Sequence, residues 1–368
     1  MSMDPINQHI ERTRREFLMT TASGLGMAAL GSMLTDDGVL SSAGAAEGGA
    51  VNPLAPQKSH FDAKAKACIF IFMAGAPSHL DLFDHKPKLN ELSGEKLPDS
   101  LLKDVRFAFI KKDAARLMGT NRKFTQHGES GMEFSDLLPH IAKRSDDILM
   151  VRSMHSSQFN HHPGQLLMQC GRAQFGLPSM GSWLTYGLGS ESQNLPGYVV
   201  LTSGRGSSGG ATLWQSGFLS SVHSGVLFRN QGEPVLNLRN PTGLPPELQR
   251  KGLDVLRDVN QGRFQEVHDP EIASRIASYE LAYRMQSSAP ELIDISGETK
   301  QTLEKYGVER AEPNIKGSRG RSGNTHQNFA RNCLLARRLV ERGVRYINLV
   351  YASWDHDSNL DTALSSNT

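Results

Sequence analysis

Six of the thirteen histidines of this 368-residue chain fall in three short segments, two of which also carry aspartates. The segments cover residues 75–85, 155–162 and 352–357. Imidazole and carboxylate groups bind zinc and similar ions, and they also transfer protons during hydrolysis. The clusters therefore predict a hydrolytic site, although any one of these residues alone is more typical of a cap or a loop hydrogen bond. The six are His79, His85, His155, His161, His162 and His356.

Ser78 lies in the first segment, directly after Gly75-Ala-Pro, at a point where a helix can begin. Its hydroxyl has two interpretations. It is either the nucleophile of a hydrolase or the cap of the helix, and capping is the commoner use of serine at such a position.

Apolar runs of strand length precede all three segments, at residues 67–73, 147–154 and 344–351, and a further run covers 198–202. Continuous apolar runs are typical of strands that are buried on both faces. Ligands of open α/β sheets bind beyond the carboxyl ends of the strands, so we expect the three segments to meet at one edge.

Helical patterns alternate with these strands, which predicts an α/β fold with a largely parallel sheet. Gly343 follows the last helix, where a C-terminal glycine is expected. Residues 204–245 are rich in Gly, Ser and Pro, and we interpret them as a loop-rich insertion. The predicted helices cover 135–143, 163–171, 182–188, 246–258, 270–287, 297–306 and 328–342.

The N-terminus carries an export pattern. Arg14 and Arg15 precede Phe17-Leu18 and a Gly/Ala-rich apolar run, and Ala43-Gly-Ala45 is a small-x-small cleavage site. This predicts a twin-arginine signal over residues 1–45, a linker over 46–66, and passage through the twin-arginine translocation machinery. The protein is then expected in the periplasm or at the outer face of the cytoplasmic membrane. A core helix, a membrane span and an uncleaved anchor are the alternatives, but the run is too short and polar for a stable transmembrane span.

Composition excludes several classes of function. The formal net charge of +2 gives no field for binding nucleic acid or holding an anionic membrane. The three cysteines are far apart and lack a C-x-x-C spacing, which argues against a disulfide framework and a zinc knuckle.

Together, several segments resemble the twin-arginine-exported, sulfatase-like family known as domain of unknown function 1501, from residue 11 to about 360. The resemblance implies the alkaline-phosphatase-like α/β/α sandwich over residues 67–368, and by analogy a metal-dependent hydrolase of sulfate or phosphate esters. The matching segments are Arg14-Arg-Glu-Phe-Leu18, Phe72-Met-Ala-Gly-Ala-Pro-Ser-His-Leu-Asp-Leu-Phe-Asp84, Phe159-Asn-His-His-Pro163, Trp354-Asp-His356 and residues 178–183, 185–190, 269–276, 279–286 and 332–338.

Two departures, one from the usual sulfatase motif and one from the length of the family, affect the functional interpretation. The usual sulfatase nucleophile lies in Cys/Ser-x-Pro-Ser-Arg, whereas Ser78 lies in Ala-Pro-Ser-His. Family members also continue through a Gly-Glu-Phe-Gly-Arg-Thr-Pro and a Gly-Arg-Asp-His segment, which this chain lacks. We therefore expect a C-terminally truncated domain that holds part of a site.

Two functional hypotheses follow. The first is an exported hydrolase that uses a divalent zinc, calcium or magnesium ion and acts on a sulfated or phosphorylated glycan or a small ester. Its predicted ligands are His79, Asp81, Asp355 and His356, with Ser78 as nucleophile and His161 and His162 as substrate-binding or acid/base groups. The second is a non-catalytic envelope or glycan-binding protein, in which Trp214, Phe218 and Phe228 form an aromatic platform for sugar.

Overall fold

A computed structural model describes residues 52–102, 111–312, 324–352, 354–356 and 358–368. The predicted export signal and residues 46–51 of the predicted linker lie outside these ranges. None of the helices in these ranges is both long and apolar enough to cross a membrane.

A central sheet and a separate hairpin contain the strands of the described chain. The sheet has the order β1-β6-β4-β5 and is parallel throughout, and β2 and β3 form the antiparallel hairpin. The predicted α/β class with a mostly parallel sheet is therefore confirmed. The strands are β1 (Cys68–Met73), β2 (Phe124–His127), β3 (Met132–Ser135), β4 (Tyr198–Gly204), β5 (Val226–Phe228) and β6 (Tyr346–Ala352).

Helices connect the strands and cover the sheet. Two long ones, α7 and α8, form a helical hairpin at the surface. The helices are α1 (His79–Leu82), α2 (Pro87–Glu91), α3 (Asp99–Leu102), α4 (Pro139–Ala142), α5 (His161–Cys170), α6 (Met180–Leu188), α7 (Pro246–Val267), α8 (Pro270–Ile293), α9 (Lys300–Tyr306), α10 (Thr325–Glu341) and α11 (Leu360–Asn367).

The two central strands, β4 and β6, are buried on both faces, as their continuous apolar sequences require. On one face, Val199 and Ile347 pack with side chains of α8 and α10. On the other face, Val200 and Val350 pack with α5, and Leu184 of α6 joins the same cluster. The sheet thus lies between two helical layers.

Two sequence-based assignments are wrong. The strand predicted over 147–154 does not form: a 3-10 turn covers Ser145–Asp147 and the following residues are irregular, with Ile148 and Met150 packed on the core and Leu149 89% exposed. This alternation resembles a strand, but within the described ranges the segment pairs with no neighbour. The helix predicted over 135–143 is shorter and covers only α4. Its first residues are not helical because β3 ends at Ser135 and the helix begins at Pro139. The loop-rich stretch 204–245 contributes β5 to the sheet.

Candidate functional site

A cavity of about 170 Å³ opens at the carboxyl ends of β1, β4 and β6. Each of the three strands supplies the turn that follows it, and α5 supplies its first turn. This is the edge where parallel α/β sheets bind ligands. The lining residues are Ala74, Gly75, His161, Gln165, Arg205, Gly206, Ser208, Ala352, Trp354 and Asp355.

The turn after β1 and the turn after β6 touch each other. A Cβ atom on Gly75 would lie 2.8 Å from the backbone nitrogen of Asp355, which is closer than packing allows. Three residues here have a positive φ: 94° at Gly75, 62° at Ala76 and 83° at Asp355. Left-handed backbone at non-glycine residues costs free energy and clusters at functional sites.

His161 and Asp355 bring the second and third sequence clusters together. His161 Nε2 lies 3.3 Å from Asp355 Oδ1, and both side chains are about half exposed, at 53% and 50%. A carboxylate next to Nε2 favours a proton on that nitrogen and leaves Nδ1 as the proton acceptor. The pair therefore has the composition of an acid/base unit.

Gln165 fixes the loop after β4. Its side chain is 6% exposed, and its Oε1 accepts hydrogen bonds from the Ser208 hydroxyl (3.2 Å) and the Gly209 N–H (3.3 Å). The Arg205 N–H donates to the carbonyl of Ala352 at 3.4 Å, so the loop is also tied to β6.

Arg205 brings a positive charge to the cavity lining. Across the described ranges, no carboxylate lies within ion-pair distance of its guanidinium, so the charge is available to an anion. Sequence reasoning missed Arg205 and Gln165. Arg205 lies only three residues after the predicted strand 198–202, and this position at the carboxyl end of a strand was the signal by which it could have been found.

A second polar contact holds α5 to the sheet. Asn348 of β6 is fully buried, and its Nδ2 donates to Oε1 of Gln169 at 3.1 Å. Gln169, Gln165 and His161 are spaced by four residues, so they lie on one side of α5.

Apart from Gly75, the first sequence cluster lies beside the cavity rather than on its lining. Asp81 is buried and accepts hydrogen bonds from the hydroxyls of Ser78 and Thr120, both at 2.5 Å. Ser78 occupies the N-cap of α1, but its hydroxyl donates to this carboxylate instead of accepting from a backbone N–H. His79 is exposed. Leu82 packs in the same core cluster as Trp354, so this segment adjoins the Trp354–His356 turn.

Two further predicted residues, His162 and His356, do not themselves line the cavity. His162 Nε2 lies 3.3 Å from the Thr212 hydroxyl, and its ring packs edge-on against Phe175. His356 Nε2 lies 3.1 Å from Asn367 Nδ2, and its ring centroid is 5.6 Å from that of Trp354.

A family model described as Protein of unknown function (DUF1501) matches residues 65–368, which include the whole sheet and all three clusters. The chain belongs to this family. Searches of curated proteins and of solved structures gave no match.

The possible metal ligands of this DUF1501 protein do not assemble into a set of three. Among the residues that the structure describes, no group of three or more His, Cys, Asp or Glu side chains is placed to hold a metal ion. On the cavity lining, His161 and Asp355 are the two potential ligands that come together. Catalytic zinc sites in proteins usually have three protein ligands.

The three residues of the predicted aromatic platform do not form one surface in the DUF1501 chain. Trp214 and Phe228 are 9% and 2% exposed and belong to the core, because the stretch that carries them packs against the sheet. Phe218 is 66% exposed and contacts Trp183 instead.

Proposed function

We propose that this DUF1501 protein is an exported hydrolase of sulfate or phosphate esters, and that hydrolysis takes place in the cavity at the carboxyl ends of β1, β4 and β6. One observation carries the proposal: His161 lies 3.3 Å from Asp355 on a lining that also includes Arg205. The Arg14-Arg15 pattern supports export to the periplasm or to the outer face of the cytoplasmic membrane.

Arg205 is proposed to bind the anionic group of the ester. A guanidinium offers a planar pair of N–H donors that matches the oxygens of phosphate or sulfate. The cavity volume of about 170 Å³ is below the roughly 300 Å³ at which drug-sized ligand sites begin. We therefore propose that the charged ester group enters and that the rest of the substrate stays outside.

His161 and Asp355 are proposed to move the protons. The carboxylate orients the imidazole and stabilises its protonated form, so His161 accepts a proton from an attacking water and returns it to the leaving oxygen. A positioned acid/base group of this kind contributes about 10²–10⁴-fold to a rate.

Ser78 remains the proposed nucleophile, with water as the alternative. Its hydroxyl already donates to Asp81 at 2.5 Å. When the serine attacks, Asp81 therefore accepts its proton in place of His161, and a protonated His161 gives its own proton to the leaving oxygen. Ser78 follows the cavity-lining Gly75 by three residues. His162, held against Thr212, stays a predicted substrate-binding group.

A divalent zinc, calcium or magnesium ion remains part of the proposal through the family resemblance. The two potential ligands on the cavity lining fall short of a complete set, so none of the proposed steps uses a metal. Metal analysis of protein folded in the cytoplasm tests this part, with stoichiometric metal as the expected result.

The experiment is hydrolysis of 4-nitrophenyl phosphate and 4-nitrophenyl sulfate by the purified chain. We expect His161→Gln to lower kcat/KM by about 100-fold and Arg205→Ala to act mainly by raising KM. His140→Gln and Arg263→Ala change exposed residues away from the cavity and are the matched controls. A folded chain that hydrolyses neither ester contradicts the proposal, and glycan binding that survives a chelator then favours the non-catalytic alternative.

A further inference from the structure

Three aromatic side chains form an exposed patch far from the cavity lining. Trp183 and Tyr186 lie on α6 and are 47% and 55% exposed, and Phe218 lies on the loop before β5 and is 66% exposed. The ring centroid of Trp183 is 6.1 Å from that of Tyr186 and 5.6 Å from that of Phe218, in edge-to-face contacts. We call these three residues the aromatic patch. Contiguous exposed apolar side chains mark interaction surfaces.

The helix that carries the patch lies at the amino ends of the strands. A Cβ atom on Gly181 would come within 2.6 Å of the rings of Tyr198 and Tyr346, the first residues of β4 and β6. The cavity lies at the other ends of the same strands. Six residue steps at about 3.3 Å separate the two ends of β4 by roughly 20 Å.

The chain enters the described fold at the end of this same helix. The Gln57 N–H donates to the carbonyl of Leu188, the last residue of α6, at 3.0 Å. The Ser190 N–H donates to the carbonyl of Leu54, also at 3.0 Å. Residues 54–57 follow the predicted export signal, so the segment leading back to that signal starts close to Tyr186.

We propose that the aromatic patch inserts into the headgroup region of a phospholipid surface and holds the protein there. Trp and Tyr favour the membrane–water interface, because their rings are apolar and their N–H and O–H groups stay hydrated. With a net charge of +2, attraction to anionic lipid contributes little, so zwitterionic lipid is sufficient. The proposal rests on export but not on hydrolase activity.

In this arrangement, the lipid surface lies at one end of the sheet and the cavity lies at the opposite end. The patch and residues 54–57 share one end of the sheet, so the patch lies on the side where the chain leads back toward the predicted export signal. The cavity then faces away from the lipid, where soluble substrate is accessible.

Trp183 makes the proposal testable by fluorescence. The chain has three tryptophans, and the other two, Trp214 and Trp354, are 9% and 4% exposed. Vesicles of dibromo-phosphatidylcholine quench tryptophans that reach the acyl boundary. We expect quenching of the full chain, and Trp183→Phe should remove it while the emission of the two buried tryptophans persists.

A double variant, Tyr186→Ser with Phe218→Ser, keeps the reporter and should lower quenching several-fold. The matched control is Leu248→Ser with Val259→Ser on α7, which replaces side chains of 56% and 65% exposure and should change nothing. Thermal unfolding confirms that each variant is folded.

Absence of quenching in the folded full chain overturns the proposal, as does equal quenching in the Tyr186/Phe218 variant. Soluble oligosaccharide that protects Trp183 from acrylamide, without any quenching by brominated lipid, also overturns it and assigns the patch to sugar.

Discussion

The α-carbon of Gly75 faces the peptide between Trp354 and Asp355, so the turn after β1 and the turn after β6 form one continuous wall of the cavity. A Cβ atom at Gly75 would lie 2.8 Å from both the Trp354 carbonyl carbon and the Asp355 nitrogen. Residues 280 positions apart in the sequence therefore depend on each other for their backbone conformation.

Replacing Gly75 by alanine is expected to destabilise the fold by about 2–4 kcal/mol, because strain from a φ of 94° adds to the backbone clash. Gly94 has a φ of 90°, and nothing lies within 4 Å of the position that a Cβ atom would take there, so Gly94→Ala isolates the strain alone and should cost less. Chemical denaturation measures both. Equal losses contradict a close approach at Gly75.

Asp355→Asn is expected to lower kcat about 100-fold on aryl esters and to leave thermal stability nearly unchanged. Asparagine tolerates the φ of 83° at this position but cannot stabilise a protonated His161. Asp355→Ala lacks this tolerance and should lose stability as well. Steady-state kinetics and thermal unfolding separate the two effects, and a large stability loss in Asp355→Asn shows that the carboxylate has a structural role.

Two of the three thiols, those of Cys68 and Cys333, should differ sharply in reactivity. Burial raises the pKa of Cys333 to about 12, so roughly one molecule in 10⁴ carries its thiolate at pH 8. Cys68 is exposed on β1, although partial desolvation raises its pKa as well. With a disulfide reagent such as DTNB, we expect Cys68 to react in the native protein and Cys333 only after denaturation. Cys68→Ser should remove the fast phase, and a fast phase that survives this change rules the assignment out.

His223 makes stability depend on pH. Burial lowers its pKa, and Glu271 opposes this shift only in part, so the folded state disfavours the charged imidazole. The unfolded chain binds the proton more readily, and stability therefore falls as the pH drops through about 6.5, the ordinary histidine pKa. His223→Gln should lose less thermal stability than the wild type between pH 7.5 and 5.5. Parallel losses in both proteins exclude His223 as the cause.

The strands that sequence reasoning found share one property. Runs around β1, β4 and β6 are continuously apolar, and β4 and β6 are buried on both faces, as this pattern indicates. The same expectation is wrong for β1, because this strand lies at the sheet edge: Phe70 and Phe72 pack against the α5 side, but Ile69 and Ile71 are 42% and 48% exposed. The run at 147–154 is also apolar, but alternate residues point to solvent and no partner strand follows in the described ranges. β5 has only three residues, too few for a pattern to emerge.

Convergence of the first and third segments at one sheet edge followed from topology, but the second segment reaches this edge on α5, because no strand forms over 147–154, and the individual contacts were not predictable. Strand direction places Gly75, Arg205 and Asp355 at the same end of the sheet. The pairing of a carboxylate with an imidazole depends on side-chain rotamers and on the close turn at Gly75. Both are determined only when the chain is folded and packed. Asp81 shows why such contacts cannot be predicted from sequence, because its two hydroxyl donors come from residues 39 and 3 positions away.

The polar side of α5 has a consequence for how the cavity can evolve. His161, Gln165 and Gln169 each contact a different partner, and the deepest contact, with Asn348, lies in the middle of the sheet. Sliding the helix by a single residue turns it by about 100° and breaks all three contacts at once. Buried contacts of α5 thus fix the position of the His161 imidazole. Mutations at the rim of the cavity alone are therefore poorly suited to move it.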